Sequence, residues 1–137
     1  MFPRIDKGPI EYTLDVFPAY STEKQRPCTR FLFRTIEEFN HFQYRISIEE
    51  KQEKGTLRFV LKGLKVKGLL PGVGTAASEV DLFDLEGSYD VTVLKPGDIS
   101  NSFRFSKGTA GLRLLENVAG EQPFLTVQIS NDSTGQE

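Results

Sequence analysis

The sequence predicts an all-β protein, an antiparallel β-sandwich of eight or nine strands. Long runs of alternating apolar and polar residues, with turn signals roughly every 8–12 residues, are typical of sandwiches and barrels. The composition agrees, because eleven of 137 residues are Phe, against one Met and no Trp. A phenyl ring has no polar atom to satisfy, so it suits the space between two sheets. A closed or partly closed β-barrel is the alternative, since strand patterns do not reveal closure.

The first predicted strand covers residues 10–17 and is expected to end at Pro18, which has no main-chain N–H to donate. A polar connection leads to a short apolar strand at 30–34. The next residues, Thr35-Ile36-Glu37-Glu38, match a helix capping box. This motif predicts one short helix near 36–41, and a continuous strand is the alternative.

The clearest strands lie at 42–50 and 56–67. In the first, the large apolar side chains share one parity: Phe42, Tyr44, Ile46 and Ile48. In the second, apolar residues occupy odd positions up to Leu61 and even positions from Leu64. One inserted residue reverses the faces of a strand, and the reversal falls at Gly63. We therefore expect an antiparallel hairpin with a bulge at Gly63.

The rest of the chain continues with a period of two. It predicts strands at 80–85, 89–94, 99–106, 112–116 and 124–130. Tight turns are expected at Pro71-Gly72 and Pro96-Gly97. We therefore expect a single all-β domain over residues 1–130 and a disordered C-terminal tail over residues 131–137, which lack apolar side chains.

Composition excludes several classes of function. The formal net charge of −2 argues against general nucleic-acid binding, which needs a basic surplus. No run of about 18 apolar residues is present, so the sequence predicts no membrane span. The single cysteine, Cys28, cannot form an intramolecular disulfide, which favours a reducing compartment. With no signal-peptide pattern at the N-terminus, we expect a soluble protein of the cytoplasm.

Few motifs carry chemistry. Residues 72–77 match a dinucleotide fingerprint, but a strand follows too soon for the helix that this fingerprint requires. Three carboxylates around a glycine turn are a weak calcium candidate that a solvated turn explains equally well: Asp84, Glu86 and Asp90. Neither Cys28 nor His41 lies in a nucleophile signature. The sequence thus predicts no catalytic residue, no cofactor and no enzymatic activity.

A cluster of basic residues is the best candidate for a function. With the bulge in place, these residues share the outward face of the hairpin: Arg45, Arg58, Lys62, Lys65 and Lys67. Such a surface suits an acidic protein surface or an anionic ligand. Charged strand faces also protect sheet edges from other chains, which is the alternative explanation. The sequence therefore predicts a non-catalytic protein-interaction or adaptor module. The alternative is a β-barrel that binds an apolar small molecule in a Phe-lined cavity.

Overall fold

The computed structural model describes residues 10–39, 42–72 and 74–131, with the backbone only for residues 67–71. Over these ranges the chain forms nine strands: β1 (Tyr12–Ser21), β2 (Arg26–Phe39), β3 (Phe42–Glu53), β4 (Thr56–Pro71), β5 (Gly74–Leu82), β6 (Gly87–Lys95), β7 (Ile99–Gly108), β8 (Gly111–Ala119) and β9 (Leu125–Ile129). None of the described residues belongs to a helix that could cross a membrane. The predicted all-β class is confirmed.

The strands form two sheets that pack face to face. The four-stranded sheet has the order β5-β2-β1-β9, and the five-stranded sheet has the order β3-β4-β6-β7-β8. Neighbouring strands are antiparallel except for β1–β9 and β4–β6, which are parallel. The second exception arises because the chain crosses to the other sheet as β5 before it returns as β6. The predicted sandwich is confirmed, and the barrel alternative is wrong because the two sheets remain separate.

Polar side chains bridge the two sheets at both edges of the five-stranded sheet. At β3, the Ser78 hydroxyl accepts a hydrogen bond from the Ile46 N–H (2.9 Å) and donates one to the Ile46 carbonyl. At β8, the Asn131 amide accepts from the Leu112 N–H (2.6 Å) and donates to the Leu112 carbonyl (3.1 Å). These contacts satisfy main-chain groups that an edge strand otherwise leaves unpaired. Asn131 begins the predicted tail, and residues 132–137 lie outside the described residues.

Phenylalanine rings from both sheets fill the core. Phe31 and Phe33 of β2 each lie with their ring centroids 5.2 Å from that of Phe59 on β4. The Phe31 ring is also 5.9 Å from that of Phe105 on β7. These four side chains are at most 1% exposed. Because the rings lie at aromatic contact distance, they fill the space between the sheets instead of lining a cavity.

Two local predictions in the first half of the chain are wrong. Pro18 does not end a strand, because β1 continues through it to Ser21. The missing N–H of Pro18 costs little here. The Val16 carbonyl points towards β9, where it accepts from the Ser130 N–H, and the main-chain nitrogen of Pro18, two residues on, points to the same side. Pairing with β9 ends at Val16, so no strand there needs a donor from Pro18. Proline is tolerated in a strand where no neighbour needs its donor.

The predicted helix near 36–41 is the second error. Residues 36–39 continue β2, while residues 40 and 41 lie outside the described residues. The Thr35 hydroxyl, expected to cap the helix, instead donates to the Glu37 carbonyl (2.9 Å) and accepts from the Ala76 N–H (2.9 Å). It thereby satisfies main-chain groups where the β2–β5 register shifts between Arg34 and Glu38.

The predicted bulge in β4 is confirmed. Ser47 pairs with Gly63 and Ile48 pairs with Leu61, so Lys62 has no opposite residue on β3. Gly63 has a φ of +135°, which L-residues rarely adopt. The extra residue keeps Leu64 on the same face of β4 as Leu61, and Lys65 on the same face as Arg58. Beyond the bulge this apolar face lies outside the core, since Leu64 is 39% and Val66 46% exposed.

The bulge gives a test of backbone strain. Gly63→Ala is expected to lower the free energy of unfolding by about 1–3 kcal/mol, because its φ suits glycine alone. A Cβ there meets nothing within 4 Å, so steric contact does not contribute. The matched control is Gly108→Ala, which also has open space but no positive φ. In urea unfolding, Gly108→Ala is expected to change the free energy of unfolding by less than about 0.5 kcal/mol. Equal effects of the two substitutions would contradict this explanation.

A buried amide holds the connection between β8 and β9. Asn101 is fully buried. Its side chain accepts from the Phe124 N–H (2.9 Å) and donates to the Gln122 carbonyl (3.1 Å). Asn101→Ala is expected to cost about 3 kcal/mol, because it leaves the buried Phe124 N–H without an acceptor. The exposed Asn117→Ala should cost less than about 0.5 kcal/mol in the same urea experiment. If Asn101→Ala lowers the free energy of unfolding no more than the control does, water takes over the hydrogen bonds of the Asn101 side chain.

Candidate functional site

The β3–β4 hairpin carries the predicted basic residues on its outer surface. It is longer than the sequence suggests, because β3 runs to Glu53 and the turn is only Lys54-Gly55. In the observed register, Arg45 lies directly opposite Lys65. Side chains directly opposite each other in an antiparallel pair have Cβ atoms about 4.5–5.5 Å apart. The hairpin therefore holds two like charges side by side.

A second pair of like charges lies nearer the turn. Arg58 of β4 is directly opposite Lys51 of β3. The Lys51 Nζ is 3.6 Å from a Glu53 carboxylate oxygen, and both side chains are well exposed. An exposed contact of this kind contributes little. Arg58 itself, like Arg45 and Lys65, forms no ion pair with any carboxylate in the described part of the chain.

Lys62 differs from the other cations. It is the extra residue of the bulge, and its Nζ lies 3.2 Å from a carboxylate oxygen of Glu49 on the neighbouring strand. It is therefore already paired. Lys67 lies on β4, but its side chain is outside the described residues.

Together these residues form one surface, which we call the basic face: Arg45, Lys51, Arg58, Lys62 and Lys65. Glu49 and Glu53 lie on the same side of the hairpin. Five cations and two carboxylates share this side, which gives it a surplus of three positive charges. The whole chain has a net charge of −2. The charges of the protein are therefore unevenly distributed, and the hairpin concentrates positive charge on one side.

Protection of a sheet edge does not explain the whole basic face. Arg58 lies where β4 is paired on both sides, with β3 and with β6. A charge at this position blocks no free edge. Like charges directly opposite each other also lower the stability of a sheet. Edge protection can therefore account for Arg45 and Lys51 on the edge strand β3, but not for Arg58.

A cleft borders the basic face at the edge of β3. It measures about 310 Å³ and lies between β3 and β5. Arg45 and Lys65 line it together with Glu50 and Glu79. Partial burial raises the pKa of Glu50. Because both signs of charge meet here, an anionic partner fits the outer face of the hairpin better than it fits the cleft.

The predicted calcium candidates are not brought together. Asp84 pairs with Arg26 (3.2 Å), and Asp90 pairs with Arg104 (3.2 Å). The Glu86 N–H donates to the Tyr89 hydroxyl (2.9 Å), at the start of the following strand. Among the described residues, no three His, Cys, Asp or Glu side chains lie in a position to hold a metal ion.

Cys28 lies on the opposite sheet and is 6% exposed. Burial, with a smaller contribution from the Asp81 carboxylate, raises the pKa of its thiol. A thiol with a raised pKa is a poor nucleophile, since the thiolate is the reactive form. His41 lies outside the described residues.

Lys51 belongs to the basic residues of the hairpin but was not predicted from the sequence. The strand predicted over 42–50 stops before it, whereas β3 continues to Glu53 and the turn has two residues. Lys51 has the same parity as Arg45, so an extension of the strand would have found it. Its position opposite Arg58 depends on the register, which the bulge shifts by one residue.

The like-charge pair gives a prediction about stability. Lys65→Glu places a carboxylate opposite Arg45 and is expected to raise the free energy of unfolding by about 0.5 kcal/mol in 0.05 M NaCl. The gain should shrink in 0.5 M NaCl, because salt screens exposed charges. The control is Arg113→Glu. Arg113 lies directly opposite the uncharged Ser106, so its replacement removes no repulsion between like charges and should give no such gain. Urea unfolding of both variants measures the effect. A loss of stability in Lys65→Glu would show that Lys65 supports the fold.

Comparisons with protein-family models, with curated proteins and with solved structures found no match to this chain.

Proposed function

We propose that this protein is a non-catalytic interaction module that binds an acidic protein surface through its basic face. The observation that carries the proposal is the direct opposition of Arg45 and Lys65, with no described carboxylate paired to either. Carboxylates of a partner placed between these side chains would relieve their repulsion. Complementary charge of this kind speeds encounter and selects the partner.

A protein fits this surface better than a nucleic acid does. Glu49 and Glu53 lie among the cations, and they would repel the evenly spaced phosphates of a rigid duplex. A flexible acidic polypeptide can turn its carboxylates away from these two residues and towards the cations. A protein surface can place a donor or a cation opposite each of these carboxylates. The net charge of −2 also gives no general attraction for nucleic acid.

Two further features support an interaction role. The Phe side chains at the centre of the sandwich pack against one another, so they offer no obvious space for an apolar ligand. We also propose a cytoplasmic location, supported by the single cysteine, which is buried and free.

Binding to an immobilised acidic polypeptide tests the proposal. We expect the protein to bind poly-glutamate at 0.05 M NaCl and to dissociate as salt is raised. Arg45→Gln with Lys65→Gln should weaken binding by about tenfold, equivalent to about 1.4 kcal/mol. The matched control is Lys24→Gln with Arg113→Gln, which removes the same charge from exposed positions outside the basic face.

Two outcomes would contradict the proposal. If the control weakens binding as much as the basic-face variant, net charge alone governs binding. If duplex DNA of equal charge binds more tightly than poly-glutamate, the partner is a nucleic acid. Thermal unfolding of each variant must show a folded protein before its binding is compared.

A further inference from the structure

The two like-charge pairs lie a fixed distance apart. Arg45 and Lys51 are six residues apart on β3, which corresponds to about 20 Å at the rise of an antiparallel strand. Each is directly opposite a cation of β4, Lys65 and Arg58 respectively. The hairpin thus has one positive centre near the bulged end and another near the turn. Glu53, 3.6 Å from the Lys51 Nζ, reduces the net charge of the second centre to +1, since two cations there meet one carboxylate.

The surface between these centres is nearly neutral. Lys62 and Glu49 compensate each other at 3.2 Å. The other outward residues there carry no charge: Ser47, Val60 and Gly63. The charge along the hairpin is therefore divided into two positive centres with a gap, instead of forming a continuous stripe.

Salt keeps the two centres independent. The Debye length is about 10 Å at 0.1 M ionic strength, half the distance between the centres. A carboxylate at one centre therefore gains little from the other. A partner that reaches both gains from the high effective concentration of its second cluster once the first is bound.

We infer that the partner of this protein carries two carboxylate clusters about 20 Å apart on one polypeptide segment. This inference rests on the proposed function and specifies the partner further. One cluster contacts Arg45 and Lys65, and the other contacts Lys51 and Arg58. The segment between the clusters carries no acidic residue facing Glu49.

Peptides with a rigid spacer test the spacing. Two Asp-Asp pairs separated by one, four or eleven prolines place their centres about 9, 19 and 40 Å apart, since polyproline rises about 3.1 Å per residue. All three peptides carry the same charge. In 0.1 M NaCl, fluorescence anisotropy should show the four-proline peptide binding at least about tenfold more tightly than the other two.

Variants of each centre provide the second half of the test. Arg45→Gln with Lys65→Gln, and Lys51→Gln with Arg58→Gln, should each abolish the preference for the four-proline peptide. Each should bind all three peptides about equally, through the remaining centre. Lys24→Gln with Arg113→Gln is the control, and it should keep the preference. Urea unfolding confirms that each variant is folded.

The possible failures are distinguishable. If the unaltered protein binds poly-glutamate but binds the three peptides equally, the two-centre inference is wrong and the proposed function stands. A preference that persists in both centre variants would also overturn the inference. If neither poly-glutamate nor any peptide binds, the proposed function and the inference both fail.

Discussion

The contact between phenylalanine rings of the two sheets is what the rest of this structure depends on. Phe31 and Phe33 from one sheet meet Phe59 and Phe105 from the other, all almost fully buried. Each such ring contributes roughly 1.5–3 kcal/mol by leaving water, and none introduces a polar group that needs a partner. Because the inner faces supply the cohesion, the outer faces are free to carry charge.

In β4, a single strand serves both purposes. Phe59 and Leu61 pack in the core, while Arg58 before them and Lys62 after them face outwards. Beyond Leu61 the strand would turn its cations inwards if it were regular. The bulge at Gly63 restores the phase, so that Lys65 stays outside and lies opposite Arg45. The core and the basic face therefore depend on the same glycine.

Sequence patterns succeeded where the physical cause is local. Alternation predicted the buried side chains of β4 up to Leu61, and the change of phase located the bulge. It did not predict that Phe42, Leu64 and Val66, at the far end of the same hairpin, remain exposed. The failures have causes distant in sequence. Pro18 fits inside β1 because β9 ends two residues earlier on that side, and Thr35 bonds to Ala76 of β5 instead of capping a helix. Neither partner can be identified from the neighbouring residues.

By itself, the sequence determined the all-β class, the Phe-built core, the bulge and most of the basic residues, because period and composition act over a few residues. Only the tertiary structure decided that the sheets stay separate, that β4 pairs with β6 in parallel, and that Arg45 and Arg58 lie opposite Lys65 and Lys51. Pairing and register depend on which strands meet across the chain, and a strand pattern is compatible with many partners.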